Sequence, residues 1–343
     1  MPMRFGLALM NDFPPGVVPA ARMADLREQV QVASGSGIDS VWVLQHYLGS
    51  MPTLQPLHLL AALSPFTGDM ALGTNMYILP LRHPIAAAEE FSTLDHLSGG
   101  RAIAGLGLGY RENEFRAFGV PLTERLGRFV ESVEIMRRLW TGERVSFAGK
   151  YYSFQDEKIS LAPVQPGGPP IWIGAGALPK AIERAARLGD AWIIPPHASG
   201  ERLKELLAVY QAARVAHGKG TSGELVVRRE ILLDEDPEVA WAAGAEARVA
   251  LTNEYARYNR PDDTAEYQHL ASEADALRRA RESYLFTDPA SAVTQLKALE
   301  AMGVTTVVLR MQWFGLSQER VLRSLELFAK HVLPEFRDES GRS

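Results

Sequence analysis

The chain has 343 residues, is 46% hydrophobic and 22% charged, and carries a formal charge of −5 with the two signs mixed. That is a globular balance with no general attraction to nucleic acid or to an anionic membrane. It contains no cysteine, which excludes disulfides, thiolate nucleophiles and cysteine-based zinc sites.

Met1-Pro-Met-Arg-Phe-Gly runs directly into an apolar segment without a basic-then-apolar secretory pattern, and no stretch approaches a membrane span. A cytoplasmic protein is the expectation. Phe5 to Met10 reads as a first strand, and Asn11-Asp-Phe-Pro-Pro-Gly16 as a loop, since two prolines and a glycine cannot continue a ladder. Met23, Leu26, Val30 and Ala33 follow at helical spacing, closed by Gly35 and Gly37. Val41–Leu44 is a second strand that stops at Gln45 and His46, as a buried parallel strand ends at a polar carboxyl edge. Pro52 to Leu63 reads as helix and 71–79 as a third strand. Pro84 opens a helix that Ser98-Gly-Gly100 stops.

The unit repeats. Residues 101–108 form a fourth strand, followed by a loop and an amphipathic helix with Leu126, Phe129, Val130, Val133, Met136 and Leu139 on one face. Val145–Phe147 and Tyr151–Phe154 form a small hairpin outside the main pattern. Pro163 to Pro170 is a connecting loop. Strands at 171–173, 191–194, 225–233 and 304–310 alternate with helices from Pro179, from Glu201 to Ala216, from near Pro237 and from Pro289 capped by Asp288, and a last helix starts near Ser317. The polar segment Asn253–Tyr284 is an insertion or lid before the eighth strand, with Tyr255, Tyr258, Tyr267 and Tyr284 in it. Eight βα units close most simply as one (β/α)₈ barrel spanning 1–343. The alternative is an open doubly wound sheet, which lacks support because no G-x-G-x-x-G turn follows the first strand.

In a barrel the reactive groups lie at the carboxyl ends of the strands. There stand His46; Asn75 and Met76; Gly109, Tyr110 and Arg111; Gly174, Ala175, Gly176 and Ala177 with Lys180; Pro195-Pro-His197; Arg228 and Glu230; and Arg310 and Trp313. Gly174-Ala-Gly176 before a helix is either an anion cradle or a tight turn with a solvent lysine. His46 is either a satisfied structural histidine or a proton-handling group. No H-x-H or H-x-x-x-H pair supports a metal site. Arg228 and Glu230, two apart on one strand, are either an inward ion pair or a solvent-facing strand end.

Several ordered pieces together resemble the luciferase-like flavin monooxygenase family from Met3 to about Pro334. They are Phe5-Gly-Leu, Asp39-Ser-Val-Trp-Val-Leu-Gln-His46, the run from Leu72 to Pro84, and Leu94-Asp-His-Leu-Ser-Gly-Gly-Arg101. The run from Gly105 to Gly119, Arg125 to Trp140, and Pro170-Ile-Trp-Ile-Gly-Ala-Gly with Arg184 to Trp192 complete the set.

The resemblance implies a TIM barrel, usually in dimers. Its flavin ring lies over a bulge in the third strand, where members often have a non-prolyl cis peptide at the position of Asn75–Met76. It makes Gly174–Ala177 the phosphate loop, although Ala177, Leu178 and Pro179 stand in place of hydroxyl residues, leaving backbone N–H groups and Lys180. An arginine that meets the phosphate in the luciferase branch is replaced by Leu108, with Arg111 as the nearby substitute. His46 matches the histidine that assists oxygen chemistry, but Gln45 precedes it where members usually have an acid. The imidazole is therefore expected to lack a nearby carboxylate and to work as a neutral group. Arg228 matches an arginine lining the site in alkanesulfonate-type relatives; Glu230 replaces their histidine.

The first functional expectation is a monooxygenase using reduced FMN, supplied by a separate flavin reductase, with O₂ and a flavin C4a-(hydro)peroxide. His46 handles a proton, and Arg228 and Arg310 stabilise developing negative charge. Phe13, Glu230 and Trp313 would line the pocket of a small, partly apolar organic substrate. The second expectation is hydride transfer with a deazaflavin, which the same family also binds. A third is a non-catalytic flavin-binding protein. The paired carboxylates or metal ligands of an unrelated sugar-metabolising barrel are not apparent.

Overall fold

The computed structural model describes residues 2–49, 51–194, 198–221, 223–256, 281 and 284–337, with 248–256 described by their backbone. Eight parallel strands close on themselves. They are β1 (Arg4–Ala8), β2 (Ser40–Val43), β3 (Ala71–Thr74), β5 (Ala102–Gly107), β8 (Ile171–Gly174), β9 (Ala191–Ile194), β10 (Glu224–Leu233) and β12 (Thr306–Arg310). The ring is sealed where β12 pairs back to β1, with Phe5 opposite Val307. The intervening numbers belong to β4 (Tyr77–Ile78), which carries on from β3, to the hairpin β6 (Val145–Ala148) and β7 (Ser153–Glu157), and to β11 (Leu285–Thr287). This is the (β/α)₈ barrel expected from the alternation.

Helices pack around it on the faces their apolar spacing defines. Leu26, Val30 and Ala33 are the inner stripe of α1 (Met23–Gly35), and Phe129, Val133, Met136 and Leu139 that of α5 (Arg125–Leu139). Within the ring lies a separate apolar cluster of Ala8, Trp42, Ile103, Trp172, Ile193, Val226 and Val308. Trp42 and Trp172 stand on strands that are not neighbours in the ring, yet their rings are 4.9 Å apart. They meet through the lumen. Gly6 and Gly73 make room for the Trp42 indole, which any Cβ at either position would overlap. The lumen at this level is thus filled by side chains, as in other (β/α)₈ barrels.

Four local expectations change. The second helix starts at Pro56 rather than Pro52. The hairpin's second strand begins at Ser153 because the carboxylate of Glu131 takes the N–H groups of Lys150, Tyr151 and Tyr152, at 2.8, 3.0 and 3.2 Å. A short helix, α4 (Glu112–Ala117), occupies the loop after β5, and β11 adds to the far end of β10. The 253–284 insertion falls largely outside the described residues. Among those described, no helix is long and apolar enough to cross a membrane.

Candidate active site

A bulge after β3 shapes the mouth. Leu72 and Gly73 pair with Ala102 and Ile103; Tyr77 and Ile78 then pair with Leu106 and Gly107. The β3 side has one residue too many, which is a bulge. Thr74 Oγ1 donates to the Gly105 carbonyl at 2.7 Å, and a side chain at 105 would overlap the Thr74 carbonyl oxygen. The Asn75–Met76 peptide is cis. Met76 lies between Gly107 and Gly174, where an added Cβ would come within 2.8 and 2.7 Å of its side chain. Beyond them Gly176 faces open space. This half of the mouth, over β3, β5 and β8, is built of small residues. The seat suits a flat ring over the bulge with a phosphate at the backbone of the Gly174–Ala177 turn. Lys180 is exposed in the first turn of α6 (Pro179–Leu188), and Leu178 caps that helix with no side-chain hydrogen bond.

His46 stands at the edge of that seat. Its Nδ1 is 3.6 Å from Glu114 Oε1, and its ring meets Tyr110 edge-on at 6.1 Å. Glu114 is fully buried; its Oε1 also accepts from the Tyr47 N–H at 2.8 Å and lies 3.8 Å from Arg111 Nη1. The expectation that His46 has no neighbouring carboxylate is therefore corrected: α4 supplies one. Burial lowers the His46 pKa most, with Arg111 acting the same way, while Glu114 and Asp12 oppose them; the balance favours the neutral imidazole. Arg111 is buried at 1% exposure, with its Nη1 3.8 Å from Glu114 Oε1.

Gln45, also buried, joins the pieces. Its Oε1 accepts from the Ile78 N–H at 2.7 Å, and its Nε2 donates to Tyr47 Oη at 2.9 Å and Gln55 Oε1 at 3.1 Å. Gln55 Nε2 in turn donates to the His46 carbonyl at 3.0 Å.

The other half of the mouth is charged. Arg310 Nη2 lies 3.7 Å from Asp12, and its Nε donates to the Gln312 carbonyl at 3.3 Å. Glu230 is in register beside Arg310 and pairs with Arg228 at 2.9 Å. Arg228 and Glu230 are thus the inward ion pair of the two arrangements their spacing allowed. The arc runs over β2, β1, β12 and β10, neighbours in the ring. Phe13 and Trp313 are fully buried in the main core, Trp313 edge-on to Phe286 at 5.1 Å. Gly109 turns the chain at φ 70°, where a Cβ would press on Ile78 and Phe115. His197 lies outside the described residues. No group of three His, Cys, Asp or Glu able to hold a metal occurs among the described residues.

Sequence reading passed over Glu114 and Asp12. Glu114 sits inside the quoted run from Gly105 to Gly119, whose acidic stretch was the one available signal.

A family model described as luciferase-like monooxygenase matches residues 3–309. The chain is 31% identical to an F420-dependent glucose-6-phosphate dehydrogenase of Kineococcus radiotolerans, with 98% of each covered. It is also 31% identical to one of that name from Amycolatopsis mediterranei, over 91% of this chain and 94% of that one. Among solved structures, monooxygenase RslO1 from Streptomyces bottropensis superposes with a TM-score of 0.85 at 25% identity, over 98% of this chain and 100% of that one.

Proposed function

The chain belongs to the luciferase-like monooxygenase family and is an oxidoreductase, and from that premise we propose that it transfers hydride between a deazaflavin of the F420 type and an alcohol or carbonyl substrate. The observation that carries this reading is the likeness, over nearly the full length, to relatives named F420-dependent dehydrogenases. It supports a deazaflavin over the reduced FMN expected first. When bound, a deazaflavin supplies a two-electron hydride carrier that does not activate oxygen.

The residues then have definite work. The small half of the mouth seats the ring, and the backbone of Gly174–Ala177 meets the phosphate. His46 takes the hydroxyl proton of an alcohol, or returns it to a carbonyl oxygen, through Nε2, the ring nitrogen turned away from Glu114. Glu114 stabilises the imidazolium formed in that step. The arc of Asp12, Arg310, Glu230 and Arg228 orients the polar groups of the substrate opposite the ring.

Anaerobic titration with deazaflavin and with FMN tests the assignment. The expected result is tight deazaflavin binding, weak FMN binding, and alcohol-dependent bleaching of the bound deazaflavin without oxygen uptake. The likeness to RslO1 favours a second reading, a monooxygenase using reduced FMN and O₂. Binding of FMN alone, with substrate-dependent oxygen uptake, would replace the first reading by the second.

A further inference from the structure

Strand alternation carries the charges of β10 and β12 to one level. Val226 and Val308 belong to the apolar cluster inside the ring. Side chains two residues further along a strand keep the same face. Arg228 and Glu230 on β10, and Arg310 on β12, therefore stand above that plug, at the floor of the mouth. Arg229 takes the other face of β10, where it donates to the Arg228 and Ala198 carbonyls at 2.9 and 2.6 Å.

The arginines at this level are matched by carboxylates. Arg228 Nη2 pairs with Glu230 Oε1 at 2.9 Å, and Arg310 Nη2 lies 3.7 Å from Asp12 Oδ1. Beside His46, Arg111 Nη1 lies 3.8 Å from Glu114 Oε1. Among the described residues the mouth thus sets three arginines against three carboxylates, and a neutral His46 adds no charge. The carboxylates are the more deeply enclosed partners, with Asp12 at 0% exposure and Glu230 at 1%, against 5% for Arg310 and 22% for Arg228.

That balance selects what can enter. A phosphate monoester brings about two negative charges at neutral pH. To hold it, Arg228 or Arg310 would have to turn from its partner and leave a buried carboxylate uncompensated beside the incoming anion, which is strongly unfavourable. An uncharged oxygen asks for no such exchange. A guanidinium has several N–H donors, so Arg228 can donate to a hydroxyl or carbonyl oxygen while Nη2 stays on Glu230.

We propose that the substrate is an uncharged alcohol or its carbonyl partner, and that the paired floor of the mouth excludes phosphate esters. In this the chain departs from the relatives that carry glucose-6-phosphate in their names. The proposal deepens the hydride-transfer reading above and rests on it for the reaction: the alcohol gives a hydride from carbon to the deazaflavin and its hydroxyl proton to His46, and becomes the carbonyl compound.

The test is a calorimetric titration of the cofactor-loaded protein with glucose and with glucose 6-phosphate, a pair that differs by the phosphate group. Wild type is expected to bind the phosphate ester no more tightly than the free sugar; detectable binding of neither is the same result. Glu230→Gln leaves Arg228 an amide oxygen but removes the opposing charge. It is expected to prefer glucose 6-phosphate about tenfold at low salt, with the preference lost by about 0.5 M salt. The double change with Arg228→Met removes the cation as well and abolishes the preference. A wild-type preference for the phosphate ester of more than twofold overturns the proposal, and needs no variant to fold. A folded Glu230→Gln protein without the gain also overturns it, because the pairing would then not be what excludes the anion. Uptake of FMN with no deazaflavin binding overturns the hydride-transfer reading instead, and the same two sugars titrated into the FMN-loaded protein then decide the charge balance.

Discussion

Replacing Glu114 by glutamine removes the carboxylate nearest His46 while keeping an amide oxygen to accept the Tyr47 N–H. The charge lies 3.6 Å from Nδ1 of a buried ring; at an effective dielectric constant of ~20, its attraction for an imidazolium is about 4–5 kcal/mol. That figure is a ceiling. Arg111 Nη1 lies 3.8 Å from the same oxygen and offsets much of it. The expected net loss is about 1.5 kcal/mol, which lowers the charged fraction of His46 about tenfold at a given pH. The assay is an NMR titration of histidine-labelled protein, with the His46→Asn spectrum identifying the His46 signal. The midpoint in Glu114→Gln should move down from that of wild type, and kcat/KM for alcohol oxidation should fall about tenfold, since the imidazolium formed in the step loses its counter-charge. An unchanged or raised midpoint would refute the assignment of Glu114 as the stabilising carboxylate, whatever happened to the rate.

Other outcomes follow from the same geometry. Gly174→Ala brings a methyl group within 2.7 Å of the flexible end of Met76, so cofactor affinity should fall while the urea midpoint changes little. Gly105→Ala meets the Thr74 carbonyl oxygen, part of the backbone, and should cost about 3 kcal/mol in urea unfolding and abolish cofactor binding; a fully stable Gly105→Ala protein contradicts the bulge geometry. Because burial holds His46 below its ordinary value of 6.5, the unfolded chain binds that proton more readily. The stability due to neutral His46 is present above pH 6.5 and is lost as pH falls below it, so His46→Asn should flatten the decline in unfolding free energy between about pH 6.5 and 5; an equal decline in both proteins contradicts this. Arg228→Met removes a partner of Glu230, which is 1% exposed, and should destabilise by about 3 kcal/mol, whereas the double change with Glu230→Gln should recover most of the loss. A double-mutant cycle without coupling would show that the pair does not act as one.

The eight strands were legible because each is a short apolar run between turn residues, and β2 even announces its carboxyl edge by changing from Val43 and Leu44 to Gln45 and His46. Helix starts were legible where proline or a capping aspartate marks them, as at Pro84 and Asp288, whose side chain does accept from Ser291 N–H. The bulge came from resemblance, since nothing in the alternation of residues 71–79 reveals an extra residue. α4 escaped because six residues give too short a period to register, and β11 because its three residues follow a polar segment without pattern. The contacts of His46 were illegible for a different reason. Glu114 contacts it and the charge of Asp12 acts on it from other strand ends, and closure of the ring brings β1, β2 and the loop after β5 to one rim. The Arg310–Asp12 pair joins the two ends of the chain in the same way.

Gln45 shows how the site tolerates its departure from the family pattern. A carboxylate at that position would accept the Ile78 N–H as the amide does, but it could not donate to Gln55 Oε1. Gln55 would then lose the bond that orients its amide toward the His46 carbonyl. The amide therefore binds three elements at once: the end of β2, the strand β4 that follows the bulge, and the segment leading into the second helix. Position 45 cannot both make these bonds and serve as the acid for His46, because the first duty needs a donor. Here the two duties are divided, with the structural bonds left to Gln45 and the charge supplied by Glu114 from α4. The consequence is geometric coupling. His46 and the bulge after β3 are fixed to each other by one buried side chain, so on the proposed hydride-transfer reading a shift of the bulge would move the proton-handling ring with it.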